Sequence, residues 1–530
     1  MIYALKLLIV VFVATCIAAW VFRSAFRDIF SKTEYRRVWQ IVLLGVVASY
    51  LSQVPAVFLL VVACLGIYAA IVTRHGPAGK IGIYLLFACT LPPINMKLGG
   101  FGGINYVLEL DHRRVLSMLL LSWAAIEIVA TKATPRATRF LWIDLLVVGY
   151  QGLRFALQVP HSNFTTEMRI LVESTLDILL PYFVVTRGIR SMADLRFVGG
   201  HLFIGVMFAA VVATMEALLQ HNLYSGLQGI YHVQWQLTYA LMRGGLIRVQ
   251  ATTPQPIILA FMLLFGIGLG YWFKGQQWRR PAVFALFATL FVAEIATFSR
   301  GPWLGALVIV LALVAMRRLS AAAFRIALVM VVMGGVAIKL ADADQHVVTA
   351  LGAIFGSERA DIASIEYRRQ LLDTSLALIK QSPWLGVPNY AAQMQSLSQG
   401  EGIIDIVNSY VAIMLDAGVI GLLIYLLPFV IVLNRLISAI RRREHGAAEG
   451  GNRFAPAFAA LILGCLLTIF TASTFNVIPV LLTLLVSLPM AWLGLPIEER
   501  AAAGNKADID LEIPDDPLRR QPLWIGGRLS

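Results

Sequence analysis

The chain has 530 residues, 59% of them apolar and only 14% charged, with 43 Lys and Arg against 30 Asp and Glu for a formal net charge of +13. Soluble domains carry about 25% charged residues, so this composition, with a mean hydropathy of +0.77, excludes a soluble enzyme and a disordered, collagenous or coiled-coil chain alike. The fold class it predicts is all-α: a polytopic integral membrane helix bundle of about 13–15 transmembrane helices, with one large outer loop built of short helices.

Apolar runs of about 15 to 21 residues, the length needed to cross a hydrocarbon core of about 30 Å, recur along the whole chain. Fifteen are recognisable: 2–22, 38–51, 54–72, 81–96, 115–130, 140–157, 168–186, 198–218, 254–273, 281–298, 302–316, 324–340, 407–433, 454–470 and 477–495. The break at Gln53-Val54-Pro55 makes the second and third the weakest, readable as a helical hairpin. They group into N-terminal helices at 1–130, central helices at 131–340 with an outer loop at 220–253, a large outer loop at 341–406, C-terminal helices at 407–495 and a polar tail at 496–530 whose composition predicts disorder. Lys6 followed by apolar residues resembles a signal peptide, but the run extends to Phe22 and the basic loop follows it, so an anchor is expected.

Alternate loops, with the C-terminal tail, hold 29 of the 43 basic residues. By the positive-inside rule those loops face the cytoplasm, which puts the N-terminus outside and the C-terminus inside. The same asymmetry accounts for the basic balance without a nucleic-acid partner. Cys16, Cys64, Cys89 and Cys465 lie within apolar runs and are expected as free thiols; with no C-x-x-C pair or His/Cys cluster, no metal or other cofactor is predicted. In the large loop, Leu372, Leu376 and Ile379 fall at helical spacing among polar residues and predict a short amphipathic helix that lies on the membrane surface or caps a cavity.

Charges at the outer ends of spans carry the chemistry, because a polar group at membrane depth persists only with a partner or a role. Arg300, in Ser299-Arg300-Gly301-Pro302-Trp303, breaks two spans on the outer side, and Arg248 lies in the segment from Arg243 to Gln250 before the next outer helix start. Each also reads as a snorkelling arginine at a helix end. Together they suit a diphosphate, since guanidinium offers planar, permanently charged, bidentate donors. Arg169, Glu173 and Asp177, at i, i+4, i+8, predict an Arg–Glu pair along one helix face, while Arg154, Glu216 and Glu294 are expected to partner one another or the backbone. The glycine-rich Gly99-Gly100-Phe101-Gly102-Gly103 follows no predicted strand, so a nucleotide loop is not expected, and no Walker A motif supports an ATP-driven pump.

Residues 299–306, then Glu366-Tyr367-Arg368, Leu385-Gly386-Val387, Asn389-Tyr390, Asn408-Ser409-Tyr410 and Asp416-Ala417-Gly418-Val419-Ile420-Gly421-Leu422, resemble the O-antigen ligase and O-antigen polymerase superfamily. The likeness runs from about Glu294 to Leu433, with a looser echo at Arg248. It implies an inverting, metal-independent glycosyltransferase of the bacterial inner membrane, working on the periplasmic face with an undecaprenyl-diphosphate-linked oligosaccharide, beside membrane lipid and other polysaccharide assembly proteins. It also implies that Arg248 and Arg300 match the family's two essential arginines, and that Arg243, Arg368, Asn408 and Tyr410 contact substrate. Ligases of this family place a His before Asn-Ser-Tyr, where this chain has Val407. Asp405, with Glu401 as the alternative, is therefore the expected general base. That departure favours a polymerase of repeat units for exopolysaccharide or lipopolysaccharide, with ligase transfer as the close alternative and a lipid-glycan flippase as the alternative of another class.

Overall fold

The structure, a computed structural model, describes residues 2–27, 29–73, 75–100, 106–131, 141–231, 241–243, 245–274, 280–316, 359–397, 406–443, 453–497 and 500. The expected span 324–340, the tail beyond residue 500, and Glu401 and Asp405 of the large loop lie outside the described residues.

The chain opens with α1 (Ile2–Val21), α2 (Lys32–Leu51), α3 (Pro55–Thr73) and α4 (Gly76–Thr90), followed by a hairpin of β1 (Met96–Gly99) and β2 (Tyr106–Leu110). Next come α5 (His112–Leu116) and α6 (Ser122–Ala130), joined by a π turn, then α7 (Leu141–Gln158), and α8 (Phe164–Ser174) and α9 (Leu180–Gly188), joined by a second π turn. After α10 (Met192–Leu219) and α11 (Leu227–Tyr231), a two-residue hairpin, β3 (Met242–Arg243) and β4 (Leu246–Ile247), leads into α12 (Pro256–Phe273), α13 (Arg280–Ala296) and α14 (Arg300–Ala315). The large loop contributes α15 (Arg359–Gln381) and α16 (Tyr390–Gln393); α17 (Ser409–Arg443), α18 (Phe454–Ile469) and α19 (Ile478–Gly494) return to the bundle.

Five of these helices are long and apolar enough to cross a membrane, and four more are shorter apolar helices, so the protein is an all-α multi-pass membrane protein. Several expected spans are not single apolar rods, because π turns interrupt the runs at 115–130 and 168–186, and α7 carries Asp144 and Arg154. The weak second and third runs are two helices, with Gln53 between them at a φ of 56°. All four cysteines are free. Gly99 ends strand β1, so the glycine-rich segment does follow a strand, that of a hairpin; residues 101–105 lie outside the described residues.

Burial orders the helices. The apolar window of α12 is 89% buried and that of α3 only 33%, which puts α12 at the centre and α3 at the periphery, where Leu60, Tyr68 and Ile71 face outward. In water so much exposed apolar surface would be an association site; around a membrane bundle it meets lipid. Close approach relies on small residues. Gly305 of α14 and Gly464 of α18 face each other so tightly that a Cβ on either would lie within 2.8 Å of the other's carbonyl oxygen. The Gly of the Arg300–Gly305 segment therefore locks the helix that begins at Arg300 onto α18.

The large loop has a small core of its own, formed by Leu371, Leu378, Ile379, Val387, Met394, Ile406, Val411 and Leu415. The expected helix is present as α15: Ile379 is buried in this core, Leu372 and Leu376 are exposed, and Leu371, Ser375 and Leu378 also turn inward. Both sets of leucines recur at helical spacing, and the neighbours Val387, Met394 and Leu415 decide which of them meets the loop core. Gly386 and Gly418, both at positive φ, bring two backbones together here, with Val387 N–H donating to Leu415 O at 2.8 Å and Val419 N–H to Pro383 O at 2.9 Å. A Cβ on Gly418 would fall 2.2 Å from the Trp384 carbonyl, so the two Gly-containing motifs at 385–387 and 416–422 are halves of one joint.

Candidate functional site

The loop between α10 and α12 is drawn into the bundle by one carboxylate. Glu216, fully buried near the end of α10, accepts the backbone N–H groups of Leu223 at 3.0 Å and of Gln250 and Ala251 at 2.9 Å. Val249 N–H then donates to Ala296 O, and the Thr252 hydroxyl to Cys89 O. These bonds deliver Arg248 to the turn that joins α13 and α14. Its Nε donates to Thr297 O at 3.1 Å and its Nη2 to Ser299 Oγ at 3.2 Å, while Arg243 Nη1 donates to Phe298 O at 2.9 Å. Phe298 has a φ of 48°, a left-handed backbone that costs a bulky residue about 1–2 kcal/mol and makes the sharp turn. Arg300 follows as the first residue of α14, with an exposed side chain. The structure thus brings Arg243, Arg248 and Arg300 to one corner.

Of the other expected site residues, Arg368 lies in α15, with its side chain outside the described residues. Asn408 Oδ1 accepts Tyr410 N–H at 3.0 Å and so caps α17, and the Tyr410 hydroxyl donates to Leu466 O at 2.6 Å. Both hold α17 in place near the corner. The expected partners of the membrane charges are corrected in two places, at Arg169 and Arg154, while Glu216 is partnered by backbone as expected. Arg169 stacks on Tyr106 and donates to its carbonyl rather than pairing with Glu173; Glu173 and Asp177 bind Arg114 at 3.0 and 3.1 Å. Arg154 pairs with Asp416 at 3.3 Å, while Glu216 takes backbone donors as described. Both carboxyl oxygens of Glu294 are buried without a hydrogen-bond partner among the described residues.

Beside the corner a cavity of ≈ 1060 Å³ enters the bundle between α5, α7, α8, α9, α17 and α19. Its lining includes Pro254, Gln255, Ile406, Ser409, Ser473 and Thr474 and none of Arg243, Arg248 and Arg300; Gly301 packs against Thr471, two residues before Ser473. Its wall carries Arg113, Arg114 and Arg154 and, facing them, Glu173, Asp177 and Asp416. Arg113 is held by Asp111 and by the carbonyl of Asn476. Burial would raise the Asp111 carboxyl, but the Arg113 guanidinium and His112 outweigh it and hold the group well below the usual carboxylate range. Sequence reasoning named Arg154, Glu173, Asp177 and Asp416 of this wall but missed Arg113 and Arg114, because an Arg113-Arg114 pair at a span start reads as ordinary snorkelling.

By its fold the chain is an all-helical multi-pass membrane protein, with three arginines gathered at the turn between α13 and α14. Residues 282–426, which include α13, α14, α15 and the first part of α17, match the family model described as O-Antigen ligase. The match covers 145 of the 530 residues, the segment in which the sequence resemblance to the O-antigen ligase and O-antigen polymerase superfamily lies. A comparison with curated proteins finds no match.

Proposed function

We propose that the protein is a polymerase of polysaccharide biosynthesis, joining undecaprenyl-diphosphate-linked repeat units on the periplasmic face of the bacterial inner membrane. The observation that carries the reading is the corner itself: Arg243 and Arg248, which precede the region matched by the ligase family, are bonded to the 297–299 turn within it that presents Arg300. Guanidinium groups converging there suit a diphosphate.

In this mechanism a sugar hydroxyl of the incoming unit attacks the anomeric carbon of the growing chain from the face opposite the leaving group. The new C–O bond forms as the bond to phosphate oxygen breaks, with inversion. Undecaprenyl diphosphate leaves with the electron pair, and the hydroxyl proton passes to a carboxylate, for which Asp405, the residue before cavity-lining Ile406, is our assignment. Charge grows on the leaving oxygen in the transition state, so fixed arginines act more strongly there than on the bound donor. Val407 stands where ligases have His, which favours polymerase over ligase. The family description, O-Antigen ligase, supports the second reading, transfer of the finished chain to a lipid or protein acceptor.

Arg248→Ala and Arg300→Ala should each slow transfer about a hundredfold, corresponding to about 3 kcal/mol, scored as glycan length on gels from a strain making the polymer. Normal ladders at normal protein levels would sink the site. Deleting the protein separates the two readings: single repeat units on the final acceptor mark a polymerase, and long chains stranded on the carrier mark a ligase.

A further inference from the structure

The diphosphate corner leaves most of the adjoining cavity unused. Three arginines and three carboxylates line it, so its wall is balanced in charge and unsuited to a second polyanion. Arg114 is bound to Asp177 and Glu173, and Arg154 to Asp416. Between these pairs sit polar groups without a partner among the described residues. Gln151, in α7, is only 7% exposed and lines the cavity, yet its amide makes no hydrogen bond there. The hydroxyl of neighbouring Tyr150 is likewise unbonded, and its ring lies 5.2 Å from that of Tyr425, with Tyr390 adding a third ring to the lining.

Neither the Gln151 amide nor the Tyr150 hydroxyl is fully enclosed, so both open onto the cavity. Such groups persist where a ligand or ordered water supplies the missing bonds. A hydrocarbon tail would leave the amide, the hydroxyls and the ion pairs facing apolar surface. Sugar rings fit instead: their hydroxyls both donate and accept, and their C–H faces pack on aromatic rings. The volume, ≈ 1060 Å³, lies at the upper end of the range of about 300–1,000 Å³ usual for small-ligand sites.

We infer that this cavity is the saccharide chamber of the protein, in which Gln151 and Tyr150 hydrogen-bond the hydroxyls of an uncharged stretch of the lipid-linked glycan while its diphosphate sits at the arginine corner. The inference rests on the transferase reading, and the test tells the two apart. Full-length protein in lipid nanodiscs is titrated with two probes: undecaprenyl diphosphate, and undecaprenyl diphosphate carrying the repeat unit extracted from the polymer-producing strain.

Gln151→Leu should weaken binding of the glycosylated carrier about tenfold and leave undecaprenyl diphosphate unchanged. Its melting temperature should stay close to that of wild type, because the amide opens onto the cavity and holds no other part of the protein; a merely structural Gln151 would not move the affinity. Tyr150→Phe should give a smaller loss of the same selectivity, and Leu146→Trp, which fills the cavity without touching a charge, covers the case in which Gln151→Leu does not fold. Unchanged affinity of these variants for the glycosylated carrier overturns the chamber. Equal loss for both probes also overturns it and makes the cavity a diphosphate or tail site. Wild-type protein that binds neither probe overturns the transferase reading and the chamber together.

Discussion

The arginine corner and the cavity wall use the same side chain in opposite ways. At the corner, Arg243 and Arg248 donate to main-chain carbonyls and one hydroxyl of the 297–299 turn, so their positions depend on how two loops fold. In the wall, Arg114 and Arg154 are held by carboxylates from other elements and Arg113 chiefly by Asp111, the cap of its own helix, so their positions depend largely on single side chains. Carbonyl contacts orient a guanidinium; carboxylate contacts also neutralise it. The first arrangement suits a site that must receive an anion, and the second suits a neutral, polar lining. A substitution in the wall should therefore be felt mainly in stability, and one at the corner mainly in transfer.

The largest expected effect breaks the wall. The Arg113–Asp111 pair is 5% and 6% exposed, and removing one partner of such a pair costs about 3–5 kcal/mol, because the other charge stays buried. Asp111→Ala should lower the midpoint of thermal denaturation in detergent accordingly. Asp111→Asn, which keeps the cap on Arg114 N–H, should recover about 1 kcal/mol of that. A variant as stable as wild type would show that the wall arginines are not held by their carboxylates.

The corner is tested next through the residue that delivers it. Glu216 accepts three backbone N–H groups, and a glutamine has only one oxygen for them. Glu216→Gln should cost about 1–3 kcal/mol of stability. Relative to its own loss of stability it should slow transfer more than Asp111→Asn does, because Arg248 moves with Gln250 and Ala251. Equal slowing per unit of stability in both variants would erase the contrast.

The smallest effect comes from a half-exposed pair far from both regions. His75 hydrogen-bonds Glu34 at 3.3 Å, and Ser31 closes a capping box with it. With the His75 bond as the main cause and burial working against it, the Glu34 carboxyl is held down at about 2 against an ordinary 4.5. A depressed carboxyl contributes stability that is present above pH 4.5 and lost as the pH falls toward 2. Glu34→Gln should flatten that part of the stability profile while changing transfer at neutral pH little. An unchanged acid limb would remove the pair from the account.

The resemblance motifs were legible as short strings, and the structure gives several of them a physical reason. Gly305 meets Gly464 across α14 and α18, and Gly386 meets the backbone beside Gly418, at distances where any Cβ would collide. A glycine in a string marks such a contact but does not name its partner, which lies more than 100 residues away for Gly305. Spacing likewise leaves open which face of α15 meets the loop core: Leu372 and Leu376 are as well spaced as the buried Leu371 and Leu378. The intrahelical Arg169–Glu173 pair lost to Arg114, a cross-helix partner that spacing along one segment cannot reveal.

By itself the sequence determined the solvent. A chain with 14% charged residues and recurrent apolar runs has no stable arrangement except helices in lipid, because every backbone polar group there must be satisfied within its own segment. It also marked the residues from Arg243 to Arg300, since charges at span ends stand out against an apolar background. Tertiary structure alone decided which charges meet. Arg114 chose Asp177 over its own neighbours, Arg154 chose Asp416, and Glu216 gathered the loop that carries Arg248. These partners lie 34 to 262 positions apart, and only the packing of α5, α7, α9, α10 and α17 brings them within hydrogen-bonding distance.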